Sequence, residues 1–270
     1  MHKTIQASLP MYDFPELRTV TDEWWRGIKK HFQHAGITIA PEELLHDRPV
    51  HELWNDDKLL LSQCCGFDVA FGYRDLLAVL VTPVYAVAGC ENGHYMSRIV
   101  VHAESGLQDL AALKGKVAAI NGPESHSGMN AFLSLIQPLS DNGRFFREIR
   151  VSGAHADSIR MVQQKQVDVA AIDCVTYALL ERYRPAALQD VITIAKTDVA
   201  PALPYVTRKA ISPEQQEHMR EALLAAFADP ALIAVREALL LQDAVVQPPD
   251  FYRRIAEHFS FDQRLLDVVV

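Results

Sequence analysis

No stretch of the 270 residues holds the roughly 18 consecutive apolar residues that a membrane-crossing helix needs. The opening segment, Met1 to Phe14, also lacks the unbroken apolar core of a secretory leader. The protein is therefore expected in the cytoplasm if the sequence is full length, and in the periplasm or cell envelope if a leader was removed. An excess of basic residues is missing too: 26 Lys and Arg face 34 Asp and Glu, a formal charge of −8. A phosphate backbone demands a positive stripe, so nucleic acid is not expected as a partner. A small anionic ligand remains open, because a pocket can be locally positive on an acidic protein.

Cysteine is scarce and badly spaced for metal. Cys64, Cys65, Cys90 and Cys174 include no CxxC pair, which speaks against zinc. They read as buried free thiols, or as a disulfide only in an oxidising compartment. The GxSxG elbow of a serine hydrolase is absent, and "LKGK" (113–116) lacks the spaced first glycine of a nucleotide-binding P-loop. No cofactor and no metal is expected. A Cys64 or Cys65 nucleophile paired with His126 is the one covalent-catalysis reading left open.

What is present is ordinary for a globular protein: 49% hydrophobic and 22% charged residues, enough for a core in each of two lobes. Apolar runs predict strands over 3–9, 37–40, 59–65, 76–86 (interrupted by Pro83), 97–103, 116–121, 146–153, 167–173, 191–197 and 203–209. Leu17, Val20, Trp24, Ile28 and Phe32 recur at helical spacing within 15–34, with Gly36 as a stop. Further helices are predicted over 107–115, from the Gly122 turn to about 136, and over 154–166 and 175–183. Ser212-Pro213-Glu214-Gln215 is a helix start with Ser as cap and Pro in the first turn. That helix runs to about Phe227, and Asp229-Pro230 and Pro248-Pro249 precede two more. Alternating strands and helices predict an α/β protein with mostly parallel sheets flanked by helices. Residues 95–197 form a self-contained set and are assigned to one lobe. Residues 1–94 plus 198–270 are assigned to a discontinuous partner lobe, with chain crossings near 87–96 and 197–203. Two crossings are the architecture of hinge-bending ligand binders, which hold ligand in a cleft between lobes.

The segment "GPESHSGMN" (122–130) stands where a predicted strand hands over to a helix. A helix N-terminus leaves N–H groups without intrahelical partners and carries a partial positive charge, so an anion suits it. Ser125 and Ser127 offer hydroxyls, and Gly128 permits close backbone approach. The alternative is that a serine merely caps the helix. Gln63 and Cys64 end a strand of the other lobe, where open α/β sheets present their ligand crevice. Gln63 either donates to an oxyanion or satisfies loop backbone. Tyr12 is either a wall for the organic part of a ligand or a surface aromatic. Asp173 ends the run "VDVAAID" and either accepts from a protonated ligand group or caps the next helix. Tyr85, Tyr95, Ser97 and Tyr205 lie near the crossings and either line the cleft or pack the hinge. His155 is read as a capping or packing residue.

The ordered set "LLLSQCCGF" (59–67), "TPVYAVAGCENGHYMSR" (82–98), "LKGKVAAINGPESHSGMNAF" (113–132), "GAHADSIRMVQQKQVDVAAIDCVTYALL" (153–180) and "APALPYVTRK" (200–209) resembles the phosphate/phosphonate-binding components of ABC transporters. The likeness covers about residues 1–230. It implies the type II periplasmic-binding-protein fold, an oxyanion held between two hinged lobes, and an ABC transporter permease as partner. Two alternatives stand beside it: an enzyme of precursor biosynthesis on the same scaffold, and a cytoplasmic ligand-sensing domain. His126 occupies a turn position where the family usually has Ser or Thr. A bound anion is expected to raise its pKa from the ordinary 6.5 or so. Similar sequences also carry cysteine at Cys65 and Cys90, so the resemblance implies that these two lie close, and leaves open whether they are bonded or remain thiols.

Overall fold

The computed structural model describes residues 4–270, and of His258 only the backbone. Lys3, the first residue of the predicted opening strand, lies outside the described residues. The chain runs β1 (Gln6–Ser8), α1 (Arg18–His34), α2 (Val50–Asn55), β2 (Leu59–Gln63), α3 (Gly66–Ala70), β3 (Leu77–Tyr85), β4 (His94–Tyr95), β5 (Ser97–His102) and β6 (Val117–Ile120). It continues with α4 (Ala131–Ile136), β7 (Glu148–Val151), α5 (His155–Gln163), β8 (Val169–Asp173), α6 (Cys174–Tyr183), β9 (Val191–Lys196) and β10 (Ala200–Pro201). Last come β11 (Tyr205–Arg208), α7 (Pro213–Ala228), α8 (Ile233–Ala238), β12 (Leu241–Val245) and α9 (Arg254–His258). The residues divide into two compact units. The first holds the chain up to Ala86, Glu91–Gly93 and Pro201–Tyr252; the second holds Val87–Cys90, His94–Ala200 and Arg253–Val270.

The first unit is built on a five-stranded sheet of order β1-β2-β11-β3-β12. Only β1 and β2 run parallel; β11 is antiparallel to both β2 and β3, and β12 is antiparallel to β3. The mostly parallel sheet expected from the apolar runs is thus a mixed one, because β11 returns to this unit from the second in the reverse direction. Pro83 does not interrupt β3. Pairing with β11 ends at Val81 and pairing with β12 spans Thr82 to Tyr85, so Pro83 has a neighbouring strand on one side only. A missing N–H is tolerated there. Helix α1 buries Trp24, Trp25, Ile28 and Phe32, and Trp24 meets Phe227 of α7 edge-on at 4.9 Å. Each such side chain contributes about 2–3 kcal/mol. The helix stops as its glycine foretold: Gly36 has φ +82°, and the Ile37 N–H turns back to the Phe32 carbonyl at 2.8 Å. That closure takes up the start of the predicted strand 37–40, which is loop, with Ile39 exposed. At α7 the Ser212 hydroxyl accepts from the Gln215 N–H, as its sequence requires.

The second unit has a five-stranded sheet of order β7-β6-β8-β5-β9. Strands β7, β6 and β8 are parallel, and β5 is antiparallel to β8 and β9, so this sheet is also mixed. Ile99, Ala118, Ile120, Phe132, Leu133, Ile136, Phe146, Ile149 and Val169 form its core. The predicted helix 107–115 is only a single tight turn, Ala111–Leu113. Gly115 at φ +74° and β6 from Val117 leave no length for more. The tail was expected in the first lobe, but residues 253–270 belong to the second unit. Strand β7 is an edge, and its Ile149 N–H donates to Val268 while Val270 donates back to the Ile149 carbonyl. An apolar tail covers an edge that would otherwise stay open. Among the described residues no helix is long and apolar enough to cross a membrane.

Candidate functional site

The register of the second sheet brings the candidate turn and Asp173 together. Strands β6 and β8 are parallel neighbours, so their C-terminal ends lie side by side, and Ser97 at the start of β5 is registered with Asp173. Asn121 leaves β6, Ser125 caps, and His126–Asn130 form a wide π turn that leads into α4. The Asn130 N–H reaches the Ser125 carbonyl at 3.0 Å and the Ala131 N–H reaches that of His126. Single π turns in helices are frequent at functional sites. All five residues of the turn are buried.

The contacts within this turn are made by neutral polar groups. Ser125 Oγ accepts from the Gly128 N–H at 3.1 Å, and Ser97 Oγ donates to the Ser127 carbonyl at 2.9 Å. Ser127 Oγ lies 2.8 Å from His155 Nε2. The Asn130 amide donates to His126 Nδ1 at 3.1 Å, which leaves the ring proton on Nε2. That Nε2 is buried and has no hydrogen-bond partner among the described residues, and the same holds for Asn121 Oδ1. The His126 ring meets Phe259 edge-on at 4.6 Å and Tyr95 at 6.2 Å. Burial lowers its pKa to about 3. Burial likewise lowers His155 to about 4, against the pull of the Ala171 carbonyl. Both imidazoles are therefore neutral at physiological pH, so the expected titration of His126 near 6.5 is moved out of that range. Gly128 is needed for space: a Cβ there would sit 1.8 Å from Asn121 Oδ1 and 3.1 Å from His155 Cε1.

Asp173 behaves as a cap. Its carboxylate accepts from Val175 N–H at 2.6 Å and Thr176 N–H at 3.0 Å. In the first unit, Tyr12 sits in a short turn with its ring 5.2 Å from Tyr85, and Gln63 Nε2 donates to the Tyr85 hydroxyl at 3.0 Å and to the Leu203 carbonyl at 3.2 Å. Cys64 and Tyr205 are interior residues. Cys64 packs with Leu53, Trp54 and Val206, and Tyr205 accepts from the Trp24 indole at 2.9 Å. Burial pushes the Cys64 thiol well above its ordinary pKa and lowers His126 to about 3, which speaks against Cys64 as a nucleophile activated by that histidine. No bond joins Cys65 to Cys90. None of the four cysteines is in a disulfide, Cys65 and Cys90 fall in different units, and the sulfur beside Cys90 is that of Cys174. The sequence reading missed Asn121 and Asn130. Asn130 had a signal, since it stands four residues after His126 and so on the same helical face.

A family described as the periplasmic phosphonate substrate-binding protein of ABC transporters matches residues 69–263. No curated protein matches the chain. Among solved structures, the PhnD1 protein of Prochlorococcus marinus in complex with methylphosphonate superimposes with a TM-score of 0.76 at 12% identity, covering 98% of each chain. A binding-protein component of a Pseudomonas aeruginosa ABC phosphonate transporter gives 0.75 at 18% identity, covering 94% of this chain and 84% of that one. A Xanthomonas citri protein bound to ATP gives 0.71 at 16% identity, covering 98% and 99%. These likenesses show a common fold.

Proposed function

The chain belongs to the family of periplasmic substrate-binding proteins of phosphonate ABC transporters, and on that premise we propose that the Ser125–Asn130 turn receives the phosphonate group of a small organic ligand. The observation that carries the reading is the buried His126 Nε2–H, a donor without an acceptor. Buried donors are almost always paired, and a phosphonate oxygen is a fitting partner. The turn also leads into α4, and the start of a helix favours an anion. Asn121 Oδ1, the unpartnered acceptor, suits a protonated ligand oxygen or an amine. Because both histidines are neutral, the anion is held here by hydrogen bonds in a dry setting, where they are worth more than in water. A protein of this family binds its solute and passes it on without transforming it. Its partner in this reading is an ABC transporter permease, and its place of work lies outside the cytoplasmic membrane.

The test is native mass spectrometry of the purified protein, followed by calorimetric titration with methylphosphonate, phosphate, methanesulfonate and ATP. Methylphosphonate or phosphate is expected to bind, and Ser127→Ala to weaken binding about tenfold to a hundredfold. Binding of ATP alone, or unchanged affinity in Ser127→Ala, would overturn the assignment.

A further inference from the structure

Cys90 and Cys174 are 84 positions apart in the chain, yet their Sγ atoms lie 3.4 Å apart in the interior of the second unit. Cys90 ends the short Val87–Cys90 segment, which is held by its own Cys90 N–H to Val87 carbonyl bond and by the tight packing of Gly89 against Met96. Cys174 opens α6, and its N–H donates to the Met96 carbonyl at 3.0 Å. Met96 thus anchors both segments, so the two sulfurs are set side by side by backbone contacts rather than by chance rotamers. Closing from 3.4 Å to the ~2.0 Å of a sulfur–sulfur bond asks for a movement of about 1.4 Å shared between two side chains.

We infer that Cys90 and Cys174 are oxidised to a disulfide when the protein matures in an oxidising compartment. The oxidant is a disulfide donor, such as a dithiol oxidoreductase in its oxidised form or oxidised glutathione. The thiolate of one cysteine attacks the donor's disulfide, forming a mixed disulfide and releasing one donor thiol. The second cysteine then attacks the protein sulfur of that mixed disulfide and releases the second donor thiol. The protein loses two electrons and two protons, and the donor gains both. Cys90 is 5% exposed and Cys174 0%, so the exchange belongs to folding or to an opening of the Val87–Cys90 segment. The hydrogen bond to Cys174, followed by burial, raises the Cys90 pKa, which keeps the reduced pair unreactive in the closed fold. Cys64, buried among apolar side chains, and Cys65, in the first unit, remain thiols.

The experiment uses the whole chain, refolded from denaturant with oxidised and reduced glutathione, then denatured, alkylated and digested with trypsin without reduction. Cys90 falls in the peptide 75–98, Cys174 in 166–182, and Cys64 with Cys65 in 59–74. The expected result is two alkylated cysteines in 59–74 and a single cross-linked species joining 75–98 to 166–182. Closing so long a loop is also expected to raise Tm by about 10 °C in the oxidised protein, an increment that reductant abolishes in the wild type and that Cys90→Ser lacks from the start. Four alkylated cysteines after oxidative refolding, or a cross-link from 59–74 to 75–98, would overturn the inference. Peptide mapping of the wild type decides it even where Cys90→Ser does not fold.

Discussion

Lowering the pH from 8 to 5 should destabilise this protein through two histidines that it keeps neutral. His126 and His155 are buried, and burial lowers their folded-state pKa values to about 3 and about 4. In the unfolded chain each imidazole titrates near 6.5 or so. Below that value the unfolded state takes up a proton that the native state refuses. Stability is therefore full above the unfolded pKa and is lost as pH falls through it towards the folded pKa. At pH 5 the loss is about 2 kcal/mol for each histidine, or about 4 kcal/mol for the pair, against almost nothing at pH 8. The wild-type profile alone does not isolate the effect. At His46 burial lowers the pKa, but bonds to Asp13 and Asp22 outweigh it and raise the value, so this residue acts in the opposite sense. The assay is urea unfolding at pH 5 and pH 8 of wild type and His126→Gln. The cost of the substitution itself is common to both pH values and subtracts out. The wild type should lose about 2 kcal/mol more than the variant on going to pH 5, and a difference that is equal at both pH values would refute the buried neutral imidazole.

Three further outcomes follow from the same geometry. Gly128→Ala forces Asn121 aside and should cost about 1–3 kcal/mol in urea unfolding, with Asn121→Ala restoring most of it in the double variant; an unchanged midpoint in the single variant would show that the turn has room. Asp173→Ala removes the cap on Val175 and Thr176 and should cost about 1–2 kcal/mol while leaving ligand affinity nearly intact; lost affinity at unchanged stability would make Asp173 a ligand residue instead. Tyr205→Phe leaves the Trp24 indole without its acceptor and should lower stability by about 1–3 kcal/mol without altering binding, which calorimetry on the same sample checks.

Local chemistry carried much of the fold. The apolar runs at Leu59–Gln63, Val117–Ile120 and Val169–Asp173 are buried throughout and could be placed from composition alone. Ser212, Gly36 and Ser125 ended or began helices through hydrogen bonds among near neighbours, which a linear pattern records. The turn at 122–130 was visible for the same reason: serines and glycines between two apolar runs have few other uses. Strand direction was not legible, since a buried run reads alike whether its neighbour is parallel or antiparallel. Nor was the fate of the tail, which depended on an open edge at Ile149 more than a hundred residues earlier in the chain. The sequence alone determined which residue types cluster at the ends of β6 and β8, and that their family is one of anion binders. Only the tertiary structure decided that His126 stands neutral with a bare Nε2–H, that Cys64 and Tyr205 belong to the interior, and that Cys90 faces Cys174. Burial and pairing over long separations are set by how elements pack in three dimensions, and no local pattern encodes them.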